Sequence, residues 1–290
     1  MGNSYFAHLK TKLIRSIYRN LPKKYLVMIL QFRSKSKFKN NVEITLKDDL
    51  ICIEEFNQDS SDKVFFYHPI RVGLYYEGIQ SRLDELLSQY CVDQLPKIPE
   101  GWIVDIGSNI GEFTMAIHRR FPGRKFLRFE PSQSENRASI GNMQGIDQII
   151  VDRPLFSEVT RLEFYDANET GDSSIFPTNE SNRSSLRTTS TLDLELDLLG
   201  NPMIALLKLE AEGAEPEILK GGRDTLSRTL FVVADLGPER GLKGERTFEA
   251  SSEILKNHGF RLHGRNPGSR ECFLFVNQQM GLSRNHTANQ

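Results

Sequence analysis

The chain has 290 residues, with 37 Lys and Arg against 38 Asp and Glu, and a formal net charge of −1. This length fits one large α/β domain with an added segment, or two small domains, and the near-neutral charge argues against a general polyanion-binding protein. The cysteines (Cys52, Cys91 and Cys272) lie far apart, which indicates a reducing compartment rather than a disulfide framework or a zinc site. No stretch reaches the roughly 18 apolar residues of a membrane span, and no secretory signal core is present, so we expect a cytoplasmic protein.

Residues 1–40 form a strongly basic segment, with ten Lys and Arg residues and no acid before Glu43. Phe6, Leu9, Leu13 and Ile17 recur at the spacing of one helix face. A basic amphipathic helix can lie on an anionic membrane surface, or it can pack on the main domain and show its charges to water. The second use is the more common, and both remain open. Nucleic-acid binding is disfavoured because the basic run lacks interleaved aromatic side chains at a reading surface and the rest of the chain is acidic.

Residues 41–99 are predicted to form an extension of strands and one helix ahead of the main domain. Alternating apolar residues predict strands at residues 42–46, 50–53 and 63–67, and helical spacing predicts a helix at residues 79–90. Arg71, Tyr75 and Tyr76 precede that helix and are candidates for lining the mouth of a substrate pocket. A packed aromatic turn explains the two tyrosines equally well.

Residues 102–111 carry the central motif of the chain. The apolar run at residues 102–104 predicts a buried parallel strand that ends at Asp105. Gly107 and Gly111 then bracket a tight turn before a helix, where backbone N–H groups can approach a ligand. An acid ahead of the glycines would repel the pyrophosphate of a dinucleotide, but it suits a ligand with an ammonium group, such as S-adenosylmethionine. The motif therefore disfavours a dehydrogenase.

From this point strands and helices alternate, which predicts a parallel sheet with helices on both faces. The second strand ends at Glu130, where a carboxylate can accept hydrogen bonds from ribose hydroxyls. Ser132 can cap the next helix. The third strand leads to Asp152 and Leu155, at the edge where an adenine ring would lie. Residues 168–190 are predicted to be a long loop.

The fourth strand, at residues 204–209, runs into a block of charged residues. Strand alternation places Lys208 and Glu210 on one face, with Glu212 just beyond. Such a cluster is costly unless water, a ligand or mutual pairing relieves it, so it indicates either a functional site or a structural Lys–Glu pair. Asp235 ends the fifth strand. His263 lies on a closing strand, where a histidine is more often packing or surface than catalysis.

Four motifs, in this order and spacing, resemble the FkbM-type family of S-adenosylmethionine-dependent methyltransferases. They are residues 105–113, Phe129-Glu130-Pro131, Thr191-Leu192-Asp193 and residues 207–215. The resemblance implies an α/β fold of the class I methyltransferase type, with a Rossmann-like sheet that is mostly parallel and has its last strand antiparallel. It places an S-adenosylmethionine-binding domain at residues 100–278, followed by a polar tail at residues 279–290. Glu210 stands where the family usually has Asp, and Asp235 where it usually has Glu.

The resemblance implies O-methylation of a sugar hydroxyl, in a surface polysaccharide of the O-antigen type or its precursor. A small polyketide-type acceptor and a non-catalytic membrane adapter without cofactor stay open, as does the oligomeric state. Residues expected to hold the cofactor are Asp105, Gly107, Ser108, Asn109, Gly111, Glu112, Glu130, Pro131, Ser132, Asp152 and Leu155. Glu210 and Glu212 are the first candidates for a catalytic base, Lys208 would orient them, and Asp235 and His263 are reserves. Nothing in the spacing requires a metal, and the Asn/Asp-Pro-Pro-aromatic block of amino-group nucleic-acid methyltransferases is absent.

Overall fold

The computed structural model describes residues 21–58, 60–95, 97–167, 171–178 and 183–280. The helix predicted from Phe6 to Ile17 lies outside these residues, as does most of the predicted tail. The described helices are α1 (Lys23–Lys37), α2 (Ile79–Gln89), α3 (Glu112–Arg120), α4 (Gln133–Asn142), α5 (Leu192–Asp197), α6 (Glu215–Lys220), α7 (Arg223–Leu226) and α8 (Phe248–Asn257). The strands are β1 (Val42–Lys47), β2 (Leu50–Phe56), β3 (Ser61–Phe66), β4 (Trp102–Ile106), β5 (Phe126–Phe129), β6 (Gln148–Val151), β7 (Arg161–Asp166), β8 (Arg183–Thr188), β9 (Ile204–Leu209), β10 (Thr229–Asp235), β11 (Phe260–Arg265) and β12 (Cys272–Asn277).

The large sheet has seven strands in the order β11-β12-β10-β9-β4-β5-β6. Strands β10, β9, β4, β5 and β6 pair in parallel, whereas β12 is antiparallel to both of its neighbours. Every residue of β9 is buried, as expected for a central strand covered on both faces. The predicted class I methyltransferase sheet, with its last strand antiparallel, is confirmed.

The extension forms a small antiparallel sheet, β1-β2-β3, followed by a 3-10 helix at Pro69–Tyr75 and by α2. The three predicted strands and the predicted helix are thus confirmed. The extension shares one hydrophobic cluster with a face of the large sheet, which joins Ile53 of β2, Leu83 of α2 and Ile103 of β4. The opposite face of the large sheet has its own cluster, which includes Val104, because successive side chains of a strand point to opposite faces.

Helix α1 packs on this assembly through only one of its faces. Leu26, Val27 and Leu30 are buried. The outward face shows large apolar side chains to water: Tyr25, Met28, Ile29 and Phe32 are 56%, 61%, 44% and 86% exposed. None of the helices in the described ranges is both long and apolar enough to cross a membrane.

The prediction of one long loop at residues 168–190 is wrong for its last part. Residues Arg183–Thr188 form β8, which pairs antiparallel with β7 over six residue pairs. The strand is polar and mostly exposed, so no apolar alternation marks it in the sequence. The strand forms because it pairs with β7 through backbone hydrogen bonds. A sequence pattern does not show such pairing.

Candidate functional site

A cavity opens at the carboxyl ends of β4, β5 and β9, the usual place for a ligand in an open α/β sheet. Its floor is the glycine turn after β4. One side is formed by the end of β5 and one by the end of β9. Its roof comes from the extension and from residues 171–175. The lining residues used below are Arg71, Arg82, Tyr90, Gly107, Ser108, Asn109, Glu112, Glu130, Pro131, Leu155, Lys208, Glu210, Glu212 and Arg270.

The glycine turn brings backbone close to backbone. Gly107 has φ +67°, and a Cβ added to it would lie 1.7 Å from the carbonyl oxygen of Glu210. Asn109 takes φ +49°, a left-handed conformation that asparagine tolerates better than most residues. The turn therefore presents main-chain groups to the cavity at a place where a larger residue than glycine does not fit.

Arg128 of β5 supports the turn from behind. This side chain is fully buried, and its Nη2 donates to Ser108 Oγ at 3.1 Å and to the Asn109 carbonyl at 3.3 Å. Gly111 lies against the same guanidinium: a Cβ there would come within 3.0 Å of Arg128 Nη2 and 2.5 Å of Met143 Cε. Gly111 thus shapes the turn from below and does not line the cavity.

Asp105 and Lys208 lie side by side at the ends of β4 and β9. Lys208 Nζ donates to the carbonyls of Ile106 and Gly107 at 3.1 and 2.6 Å, and it lies 3.4 Å from Asp105 Oδ1. The other carboxylate oxygen of Asp105 accepts from Thr114 Oγ1 at 2.7 Å. Asp105 is fully buried and does not line the cavity, so it lies behind the glycine turn.

Glu130 lies at the tip of β5, where a ribose is expected. Its two oxygens accept hydrogen bonds from the backbone N–H groups of Asn109 (2.7 Å) and Ser132 (2.8 Å). Burial raises the pKa of this carboxyl to about 7, against the lowering effect of those two donors. Each oxygen keeps a second lone pair for a hydroxyl donor from the cavity.

The extension reaches the cavity through a buried network around Glu112, the first residue of α3. Its carboxylate accepts from Tyr75 Oη at 2.7 Å and Arg82 Nε at 3.1 Å, and it pairs with Arg71 Nη2. Burial alone would raise the pKa of Glu112, but the two guanidinium groups and the phenol outweigh it and lower the pKa to about 2. The network leaves Arg71 and Arg82 facing the cavity.

The carboxylate of Glu210 contacts three side chains of the protein. Its carboxylate accepts from Tyr90 Oη at 2.6 Å, pairs with Lys208 Nζ at 3.0 Å and pairs with Arg270 Nη2. Arg270 also contacts Asp235, with Nε 2.5 Å from Oδ2. Two cations and a hydroxyl group therefore occupy the carboxylate of Glu210.

Glu212 is in the opposite situation. Its backbone takes φ +50°, a strained conformation that is typical of functional turns, and the residue lines the cavity. Within the described residues, the carboxyl group makes no hydrogen bond or ion pair. Burial raises its pKa well above the usual range, and the nearby Glu239 and Asp172 raise it further. Glu215, three residues later, instead accepts from the backbone N–H groups of Ala211 (2.8 Å) and Gly213 (3.2 Å) and shapes the turn.

Several residues that the sequence placed at the site lie elsewhere. His263 is exposed on β11, and Asp152 is exposed beyond β6, so neither reaches the cavity from its position. Tyr75 is buried under Glu112, and Tyr76 packs edge-on against Phe38 with ring centroids 5.1 Å apart. Ser132 lies just outside the cavity, and its backbone N–H group donates a hydrogen bond to Glu130.

Other lining residues were missed by the sequence analysis. Tyr90 and Arg82 looked like ordinary positions on the predicted helix, and Arg270 stands in a loop between two closing strands. Long-range contacts bring these three side chains to the strand tips, and no local pattern marks such contacts.

The side chains present fit the predicted cofactor. The glycine turn leaves room for close main-chain approach, Glu130 can accept from ribose hydroxyls, and Leu155 and Pro131 offer an apolar surface. Among the described residues, no group of three or more His, Cys, Asp or Glu side chains is arranged to hold a metal ion.

Comparison with known proteins shows a match to the methyltransferase FkbM domain over residues 105–262, more than half of the chain. The chain is 24% identical over 201 residues to Methyltransferase 1 of Beauveria bassiana, which covers 61% of this chain and 78% of that protein. It is 23% identical over 202 residues to the 2-O-methyltransferase NoeI of Sinorhizobium fredii, covering 64% of this chain and 83% of that protein. Magnesium protoporphyrin IX methyltransferase from Synechocystis PCC 6803, solved with bound S-adenosylmethionine, is similar with a TM-score of 0.41 and 12% identity, over 71% of this chain and 81% of that one.

Proposed function

The chain belongs to the FkbM methyltransferase family, and from this premise we propose that it methylates a hydroxyl group of a sugar with S-adenosylmethionine as the donor. The family identifies it as an S-adenosylmethionine-dependent methyltransferase. Oxygen as the acceptor atom is supported by its similarity to NoeI, which is named a 2-O-methyltransferase. The acceptor that we propose is a surface polysaccharide of the O-antigen type, or its precursor.

In this proposal, the geometry of the cavity determines which residues bind which part of the cofactor. S-adenosylmethionine supplies a methyl group that is already activated by the sulfonium charge. Gly107, Ser108 and Asn109 offer main-chain groups to the amino-acid part, and Glu130 accepts from the ribose. Asp105 and Lys208 hold the turn from behind. The remaining task of the protein is to align an oxygen and remove its proton.

Glu212 is the base that this geometry supports best. The single observation that carries the choice is that Glu212 lines the cavity while its carboxyl group has no partner among the described residues, whereas Glu210 is held by Tyr90, Lys208 and Arg270. A carboxylate with a raised pKa takes a proton more readily, and a cationic ligand beside it favours its ionised form. Glu212 would accept the hydroxyl proton as the oxygen attacks the methyl carbon.

Calorimetry and glycan analysis test this proposal. We expect S-adenosylhomocysteine to bind the full chain with a dissociation constant on the order of micromolar. Glu212→Gln should keep that affinity within about threefold, because it removes only a proton acceptor. In cells whose only copy of this protein is the variant, we expect one sugar of the polysaccharide to lack the methyl group. Mass spectrometry should then show that sugar lighter by one CH₂ than in cells with the wild type.

Glu249→Gln, on the exposed side of α8, is the matched control and should leave the glycan unchanged. An intact fold without cofactor binding would contradict the proposal and favour the adapter. Cofactor binding with an unaltered polysaccharide would point to a small-molecule acceptor.

We also propose that the chain attaches to an anionic membrane surface through α1. Its exposed residues Tyr25, Met28, Ile29 and Phe32 follow the spacing of one helix face, and Lys24, Arg33, Lys35 and Lys37 are exposed beside them. An apolar stripe with basic flanks suits the interface of an anionic bilayer. Attachment there would bring the enzyme to a lipid-linked polysaccharide precursor.

A further inference from the structure

Arg270 joins several separate parts of the cavity wall. It comes from the loop between β11 and β12, and its guanidinium pairs with Glu210 at the end of β9 and with Asp235 at the end of β10. It also lies over the ring of Tyr90, 5.3 Å from the centroid, at the end of α2. The sequence assigned no role to this position, and its side chain is 29% exposed, within reach of the cavity.

The charges at this end of the cavity do not cancel. Lys208 and Arg270 are the cations, and they face the carboxylates of Asp105, Glu210 and Asp235. Glu212 and Glu239 lie nearby, but burial raises the pKa of both carboxyl groups, that of Glu239 to about 8, so they add little negative charge at neutral pH. The three carboxylates at this end of the cavity attract a sulfonium, but methyl transfer removes that positive charge. Excess negative charge therefore stabilises the bound donor more than the transition state and slows the reaction.

We propose that Arg270 is a positioning residue that balances this charge: it holds Glu210 and Asp235 away from the acceptor, limits their attraction for the sulfonium and leaves Glu212 as the acid that meets the hydroxyl. The inference rests on the proposed function, because it needs a sulfonium donor in the cavity. It concerns the electrostatics of the site, and a purely structural role for Arg270 would not produce the same signature.

The signature is the ratio of the affinities for S-adenosylmethionine and S-adenosylhomocysteine, two ligands that differ in the methyl group and its positive charge. Both are measured by calorimetry on the full chain, so no acceptor is needed. For Arg270→Met we expect the ratio to shift toward S-adenosylmethionine by about five- to tenfold, the size expected when one charge is removed several ångströms away in a partly buried site. Arg270→Lys keeps the charge and should stay within about twofold of the wild-type ratio.

Two further variants complete the test. Glu210→Gln removes a negative charge from the same cluster and should shift the ratio in the opposite direction. Arg246→Met breaks the exposed pair with Glu271, next to Arg270 in the chain, and should leave the ratio unchanged.

An unchanged ratio in Arg270→Met, with the fold intact, would overturn the inference while the proposed function stands. If Arg270→Met does not fold, an unchanged ratio in Glu210→Gln overturns it instead. A wild-type chain that binds neither ligand would mean that the proposed function itself has failed.

Discussion

At the scale of single residues, Glu130 has the environment that makes cofactor binding depend on pH. Its pKa is raised to about 7 by burial, and only the ionised carboxylate can accept from two ribose hydroxyls while its oxygens also hold Asn109 and Ser132. We expect S-adenosylhomocysteine to bind about tenfold more weakly at pH 6 than at pH 8, since the ionised fraction falls by about that factor. Calorimetry at several pH values measures this.

The same group has the opposite effect on the stability of the unliganded chain. Its pKa rises from an ordinary value of about 4.5 to about 7 on folding, so the folded chain holds the extra proton in this window. The contribution of Glu130 to stability is therefore lost as the pH rises from about 4.5 to 7. Glu130→Gln should remove both pH dependences. A wild-type affinity that does not change between pH 6 and 8 would contradict the role given to this carboxyl.

At the scale of elements, Glu112 ties the 3-10 helix and α2 of the extension to the start of α3. Its partners are Tyr75, Arg71 and Arg82. Glu112→Gln would leave two largely buried guanidinium groups without their carboxylate, which typically costs about 3 kcal/mol of unfolding free energy. Urea unfolding at pH 7 measures the loss. Glu85→Gln is the matched control: this partner of Arg82 is 55% exposed, and its loss should cost less than about 1 kcal/mol.

The pH dependence of this effect follows from the lowered pKa of Glu112. Because the pKa falls from its ordinary value of 4.5 to about 2 on folding, the stabilisation is complete above pH 4.5 and is lost as the pH falls toward 2. The difference between the wild type and Glu112→Gln should therefore shrink below about pH 4.5. An equal difference at pH 7 and pH 3 would show that packing, and not charge, holds the extension in place.

At the scale of the whole molecule, the exposed face of α1 is the surface through which we propose that the enzyme binds a membrane. We expect the full chain to float with anionic liposomes, and Met28→Glu combined with Phe32→Glu to reduce the bound fraction at least about fivefold, because two charges replace apolar contacts. Deletion of residues 1–40 should abolish flotation. Ile140→Glu, at a 72% exposed apolar residue of α4, is the control and should float like the wild type. Equal flotation of the double variant would end the membrane proposal.

The sequence by itself determined the features that depend on local order. The glycine turn, the acid at each strand tip and the alternation of strands and helices were predicted, because neighbouring residues encode tight turns and periodic faces. The antiparallel direction of the last strand came only from the resemblance to the FkbM-type family. The motifs around Asp105, Glu130 and Lys208 identified the donor for the same reason.

Only the tertiary structure separated the two acids of the block, since among the described residues Glu210 has side-chain partners and the carboxyl group of Glu212 has none. Glu210 and Glu212 are two residues apart and equal in chemistry, and the sequence could not separate them. Tyr90 and Arg270, which lie 120 and 60 residues away in the chain, contact the carboxylate of Glu210. Neither contacts the carboxyl group of Glu212. The structure likewise places Asp105 behind the turn and His263 at the surface. Partners so distant in the chain meet only when the extension and the closing strands pack on one sheet, and the charge of a site is the sum over those partners.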